Sequence, residues 1–258
     1  MSISVVCNFH REAIALRSFI QHAEAFFDEV VFVSSPPDGV VPCEESMEIV
    51  KASGHRLVHF TVSKGFGVLR TRCMRESKGD WTMILDADEI MAVTAPRMTC
   101  VGTEKYPEVK NPALTVSKGA EVNQKHLLKE LMKRADANGK PAICLSRRHW
   151  FDGPGVFERP CQNFSAIPDW QLRLVKNDPR LFYDPEWRMH EKLLWSPTWS
   201  EPEYLRGDAI EGPFYEHMHC FYKPQDPDKN KLDMEVYRQL DEPNTKGMWL
   251  ESAKGVSE

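Results

Sequence analysis

The chain has 258 residues, 41% of them hydrophobic and 28% charged, enough to bury a core within one large domain or a domain with an insertion. A net charge of -5 argues against a general nucleic-acid binder, and no apolar run approaches the roughly 20 residues that span a bilayer. Seven cysteines (7, 43, 73, 100, 144, 161, 220) without a CxxC pair suggest neither a disulfide framework nor a zinc knuckle, which points to a reducing cytoplasm.

The first residues lack a basic leader pattern and read as a strand rather than a signal peptide. Residues 3–9 form that apolar strand. Leu16, Phe19, Ile20, Ala23, Phe26 and Phe27 then fall at helical spacing. A second strand over 29–35 is stopped by Pro36-Pro37-Asp38-Gly39, and a short helix covers 44–52. A third strand is predicted over 57–62, a helix over 67–78 and a fourth strand over 81–85. Strands alternating with helices predict a doubly wound, mostly parallel sheet, whose ligands sit beyond the carboxyl ends of the strands. Residues 92–122 read as a loop or insertion. A helix over 122–137, strands over 142–151 and 171–176, and a helix near 231–240 complete the chain. The expected division is an α/β half over 1–91 with its ligand-binding strand ends, an insertion with a basic helix over 92–141, and a smaller part over 142–258, all in one domain.

The fourth strand ends in Asp86-Ala87-Asp88-Glu89. Carboxylates at i and i+2 on a strand face the same way and can share one hard cation, which in turn takes phosphate oxygens. Residues 118–148 carry eight basic and three acidic residues, a local net of +5 against -10 for the rest. This segment is either a solvated helix face or a surface for an anionic acceptor.

With these pieces in place the chain resembles the inverting family 2 glycosyltransferases of GT-A fold. The resemblance rests on Cys7-Asn8-Phe9-His10-Arg11-Glu12, Ser35-Pro36-Pro37-Asp38-Gly39, Gly65-Phe66-Gly67-Val68-Leu69-Arg70, Gly79-Asp80-Trp81 and Asp86-Ala87-Asp88-Glu89. It covers most of residues 3–91, with weaker echoes to about 223. Two positions depart from the family pattern, Thr71 where Asn is common and Ser34 or Ser35 where Asp is common. The resemblance implies donor contacts from Asn8, Glu12 and Asp38, with Arg70 approaching the diphosphate. Asp86 would meet the ribose or metal, and Asp88 would be the principal metal ligand. The implied cofactor is Mn2+ or Mg2+, and the implied donor a nucleotide-diphosphate sugar, most commonly of uridine.

A departing nucleoside diphosphate needs positive charge beside it, which a metal on Asp88 and the side chains of Arg70 or Lys64 would supply. A further metal ligand is expected from Tyr215-Glu216-His217-Met218-His219, where His219 fits the family pattern better than His217. Inverting transfer needs a carboxylate base for the acceptor hydroxyl. Asp169, before the Arg173-Leu174 strand, and Glu191, beside His190, are the candidates, with Glu191 preferred and His190 orienting it or touching phosphate. The acceptor is a cytosolic glycan, a lipid-linked glycan or a hydroxylated base in DNA, and no integral membrane segment is expected. The competing readings are a nucleotidyltransferase, which would normally carry a Gly-rich basic loop after the first strand, and a non-catalytic nucleotide-sugar binding module.

Overall fold

The computed structural model describes residues 1–62, 65–101, 113–158, 169–185, 192–207, 212–222 and 225. Lys64, His190, Glu191 and the helix expected near 231–240 lie outside these residues.

The N-terminal half alternates strictly: β1 (Ile3–Phe9), α1 (Ala13–Phe26), β2 (Glu29–Ser34), α2 (Glu44–Ala52), β3 (Arg56–His59), α3 (Phe66–Glu76) and β4 (Trp81–Asp86). The four strands lie in the order β3-β2-β1-β4, all parallel. Near-continuous apolar runs form them because both faces are covered. Val5, Cys7 and Phe9 of β1, with Phe32 of β2, pack into the larger core with α1. Val6, Val31, Val33 and Ile84 point the other way, into a second cluster with Leu69, Cys73 and Met74 of α3. This is a doubly wound arrangement with helices on both faces.

After β4 the chain turns through residues 87–88 into a two-residue strand, β5 (Glu89–Ile90). The expected loop at 92–122 is instead a long hairpin of its own, β6 (Thr94–Val101) with β7 (Ala113–Asn123), antiparallel and bulged between Pro96 and Met98. Proline removes a ladder donor there, which is why the segment does not read as a strand. Asn123 then caps α4 (Gln124–Ala137), its side chain accepting from the His126 amide at 2.9 Å.

The second half extends the same sheet. β8 (Ala142–His149), β9 (Asp169–Lys176) and β13 (Phe214–His217) continue the order as β4-β9-β8-β13-β5. β10 (Leu181–Tyr183) pairs with β11 (Leu193–Trp195) apart from the sheet, and β12 (Tyr204–Arg206) lies parallel to β8. Among the described residues, β9 and β5 alone run against the other strands of the main sheet. The carboxyl ends of β1, β4, β8 and β13 therefore open on one edge, and the reversed β9 brings its first residue, Asp169, to that same edge. A last turn, α5 (His219–Tyr222), follows β13. Among the described residues no helix is long and apolar enough to cross a membrane.

Candidate active site at the carboxyl edge of the sheet

Parallel pairing places Asn8 of β1 opposite Asp86 of β4. Arg70, on α3 and only 5% exposed at its side chain, joins them. It donates to Asn8 Oδ1 at 2.5 Å and to Asp86 Oδ1 at 2.9 Å. Arg173 of β9 reaches Asp86 Oδ2 at 3.4 Å and Glu89 Oε1 at 3.1 Å. Burial works to raise the Asp86 pKa, but Arg70 and Arg173 overcome it and lower it to about 2. Buried Glu89 accepts from the Asp86 amide at 3.0 Å and also lies 3.6 Å from the Arg147 guanidinium.

Asp86 ends β4 and Asp88 lies in the turn beyond it, close enough that each charge acts on the other, yet their side-chain partners differ. β4 stops at Asp86 and the turn re-aims Asp88 toward β13. Asp86 is held by arginines, whereas Asp88 meets histidines. The Asp88 Oδ2 atom lies 3.4 Å from His217 Nε2 and 3.3 Å from His219 Nδ1. The Met218 amide, between the two histidines, donates to the Asp88 carbonyl at 2.9 Å and fixes the segment against the turn. One ligand atom from each of Asp88, His217 and His219 falls within 4.8 Å of the others.

Beyond this cluster, parallel pairing sets His217 directly opposite His149 at the end of β8, and antiparallel pairing sets Arg147 opposite Asp169. His217 Nδ1 lies 3.0 Å from His149 Nδ1, and His149 Nε2 lies 3.1 Å from Asp169 Oδ2. Asp169 also accepts from Arg147 Nε at 2.7 Å and from Gln171 Nε2 at 2.7 Å. Burial opposes ionisation of Asp169, yet the His149, Arg147 and Gln171 donors hold its pKa well below the usual carboxylate range. Burial keeps the His149 pKa below the ordinary histidine value despite Asp169.

Of the other residues singled out in the sequence, Glu12 closes the loop after β1, accepting from the His10 and Arg11 amides at 2.7 and 2.8 Å. Asp38 is exposed in the turn after β2. The structure thus brings together Asn8, Arg70 and Asp86 in one group, and Asp88 and His219 in another. His149, Arg147 and Arg173 join them without a motif to announce them. Trp150 is fully buried in the core, its indole donating to Glu216 at 2.5 Å.

No protein-family model matches the sequence, and no curated protein matches it. Several solved structures are similar in shape. TarS 1-349 from S. aureus aligns with 95% of this chain and 68% of that one at 12% identity, with a TM-score of 0.44. Glucosyl-3-phosphoglycerate synthase from Mycobacterium tuberculosis, solved with Mn2+, uridine diphosphate and glucosyl-3-phosphoglycerate, aligns over 57% and 44% at 18% identity, TM-score 0.35. The mannosyltransferase PcManGT from Pyrobaculum calidifontis, solved with GDP-Man and Mn2+, aligns over 100% and 76% at 11% identity, TM-score 0.42. All three TM-scores are low, and the fold class, mixed α/β with a mostly parallel sheet covered on both faces, rests on the strand order and directions described above.

Proposed function

We propose that the chain is a metal-dependent glycosyltransferase of GT-A type that moves a sugar from a nucleotide diphosphate to an acceptor hydroxyl. The observation that carries this reading is the convergence of Asp88, His217 and His219 at the carboxyl edge of a doubly wound sheet. That edge is where such sheets take nucleotides. The donor set fits a divalent cation, since one carboxylate and two imidazoles bring lone pairs to one point. Two nitrogens beside one oxygen suit Mn2+ better than Mg2+, which prefers an all-oxygen octahedron. A cation held there would neutralise charge developing on the departing diphosphate.

The remaining roles follow from placement. Asn8 and Asp38, at the ends of β1 and β2, border the region where a base and ribose would lie. Arg70 and Arg173 hold Asp86 and keep fixed positive charge beside it. In the transfer, the acceptor oxygen attacks the anomeric carbon, the bond from that carbon to the diphosphate oxygen breaks, and a carboxylate takes the hydroxyl proton. Asp169, already accepting from three donors and strongly ionised, is a poor proton acceptor. We therefore assign the base to Glu191, with His190 beside it, and assign Lys64 to the diphosphate. Glu191→Gln should lower turnover by about 100-fold or more while leaving donor binding intact.

The test is thermal stability with a panel of sugar nucleotides, each with and without Mn2+. A ligand at about 100 times its Kd stabilises by roughly 2.7 kcal/mol. Stabilisation by one nucleotide class that requires Mn2+ is the expected result. A folded protein that no donor stabilises would overturn the reading.

A further inference from the structure

Four side chains from four separate segments form a continuous line: Asp88 in the turn after β4, His217 on β13, His149 on β8 and Asp169 on β9. The successive separations are 3.4, 3.0 and 3.1 Å. The line has a direction. An ionised carboxylate can only accept, so Asp169 draws the proton of His149 to Nε2. The lone pair of His149 is then at Nδ1, where the nearest polar atom of His217 is also Nδ1. Two bare nitrogens cannot share a hydrogen bond, so His217 carries its proton on Nδ1 and leaves Nε2 bare. That bare Nε2 faces Asp88 Oδ2, itself only an acceptor when ionised, so a cation between the two satisfies both lone pairs.

We propose that the Asp169–His149 pair is a positioning device for the metal centre, fixing His217 in the tautomer whose Nε2 is a metal ligand alongside Asp88 and His219. The inference rests on the metal-dependent reading above and deepens it. A metal-bound histidine usually passes its other N–H to a carboxylate or carbonyl that fixes ring and tautomer. Here that partner is a second imidazole, itself fixed by a carboxylate. Arg147 and Gln171 hold Asp169 in turn, so the outer end of the line cannot swing away. The strand register supplies the same alignment independently, because His217 pairs with His149 and Arg147 with Asp169 in the sheet ladders. This role also accounts for Asp169, a carboxylate at the site edge that is unsuited to act as a base.

The tautomer is read with a cation in place, because without one Asp88 competes with His149 for the His217 proton. In protein with 15N-labelled histidine, saturated with Zn2+ as a diamagnetic stand-in for Mn2+ at about pH 8, above the ordinary histidine pKa of about 6.5, long-range 1H–15N spectra distinguish the two ring forms. His217, assigned through the His217→Gln spectrum, should carry its proton on Nδ1. A proton on Nε2 overturns the proposal whatever the enzyme does. The second measurement is Mn2+ affinity, followed by the electron paramagnetic resonance of free Mn2+ with no nucleotide present. His149→Phe should weaken Mn2+ by about 10- to 100-fold, and Asp169→Asn should weaken it to a smaller degree. His149→Gln, whose carbonyl can still accept from His217 Nδ1, should restore part of the loss. Unchanged affinity in folded His149→Phe and Asp169→Asn proteins, with Asp88→Ala abolishing binding, would sink the positioning role and leave the metal site standing. Absence of Mn2+ binding by the unmodified chain would sink both.

Discussion

At the scale of single residues, two aspartates only two positions apart have opposite surroundings. Asp88 faces two imidazoles, and Asp86 faces two guanidinium groups. Asp88→Ala should abolish both Mn2+ binding and sugar transfer while leaving the unfolding temperature close to that of the parent. An active Asp88→Ala protein would overturn the metal assignment. Asp86 acts through its charge. Its folded pKa of about 2 lies below the unfolded value of about 3.9, so the ion pair stabilises the fold above about pH 4. That contribution is lost as pH falls through about 2. The stability difference between the parent and Asp86→Asn should therefore shrink between about pH 4 and pH 2, measured as denaturant midpoints. A difference that stays constant over this range would mean that ionisation of Asp86 is not what stabilises the site.

At the scale of elements, the site depends on β13 lying correctly beside β8. A buried cluster bolts the two strands together. Arg148 of β8 donates from Nε to Glu216 of β13 at 2.9 Å and makes a second, closer contact through its terminal nitrogen. Glu216 is 0% exposed and also accepts from Trp150, while Gln124 of α4 donates to it at 3.4 Å. Arg148→Met would leave the Glu216 charge buried without its cation, at a cost of about 3–5 kcal/mol. Chemical denaturation of Arg148→Met should show that loss, and Arg148→Met combined with Glu216→Leu should recover most of it. Equal losses in the single and double variants would show that packing, not charge, dominates. The hairpin β6–β7 shows what local pattern misses at this scale. Pro96 and the interspersed Lys, Gly and Thr residues obscure the alternation that a strand would otherwise display.

At the scale of the molecule, the positive segment 118–148 turns out not to be a single free surface. Arg147 is tied to Asp169 and Glu89, and Arg148 is buried on Glu216. Lys133 and Lys140 pair with Glu130 and Glu203. Duplex DNA binding should accordingly be weak and little affected by neutralising Lys125, Lys129 and Lys133, as fluorescence anisotropy at low and moderate salt would show. Affinity that falls steeply with salt and with that triple change would favour a DNA acceptor.

The sequence by itself determined the N-terminal half: the order of strands and helices, and the polar residues at the strand ends. Those features are local, carried by apolar runs, helical spacing and turn residues such as Pro36-Pro37-Asp38-Gly39. It also marked Asp88 and His219 as candidate metal ligands, and the structure brings them together across a separation of 131 residues. Only the tertiary structure decided which atoms meet. The turn after β4 gives Asp88 histidine partners and leaves Asp86 with arginines, and the reversal of β9 carries Asp169 to the carboxyl edge. The register of β13 on β8 sets His217 against His149. Strand direction and register are properties of paired strands far apart in sequence, and no periodicity within one strand encodes them.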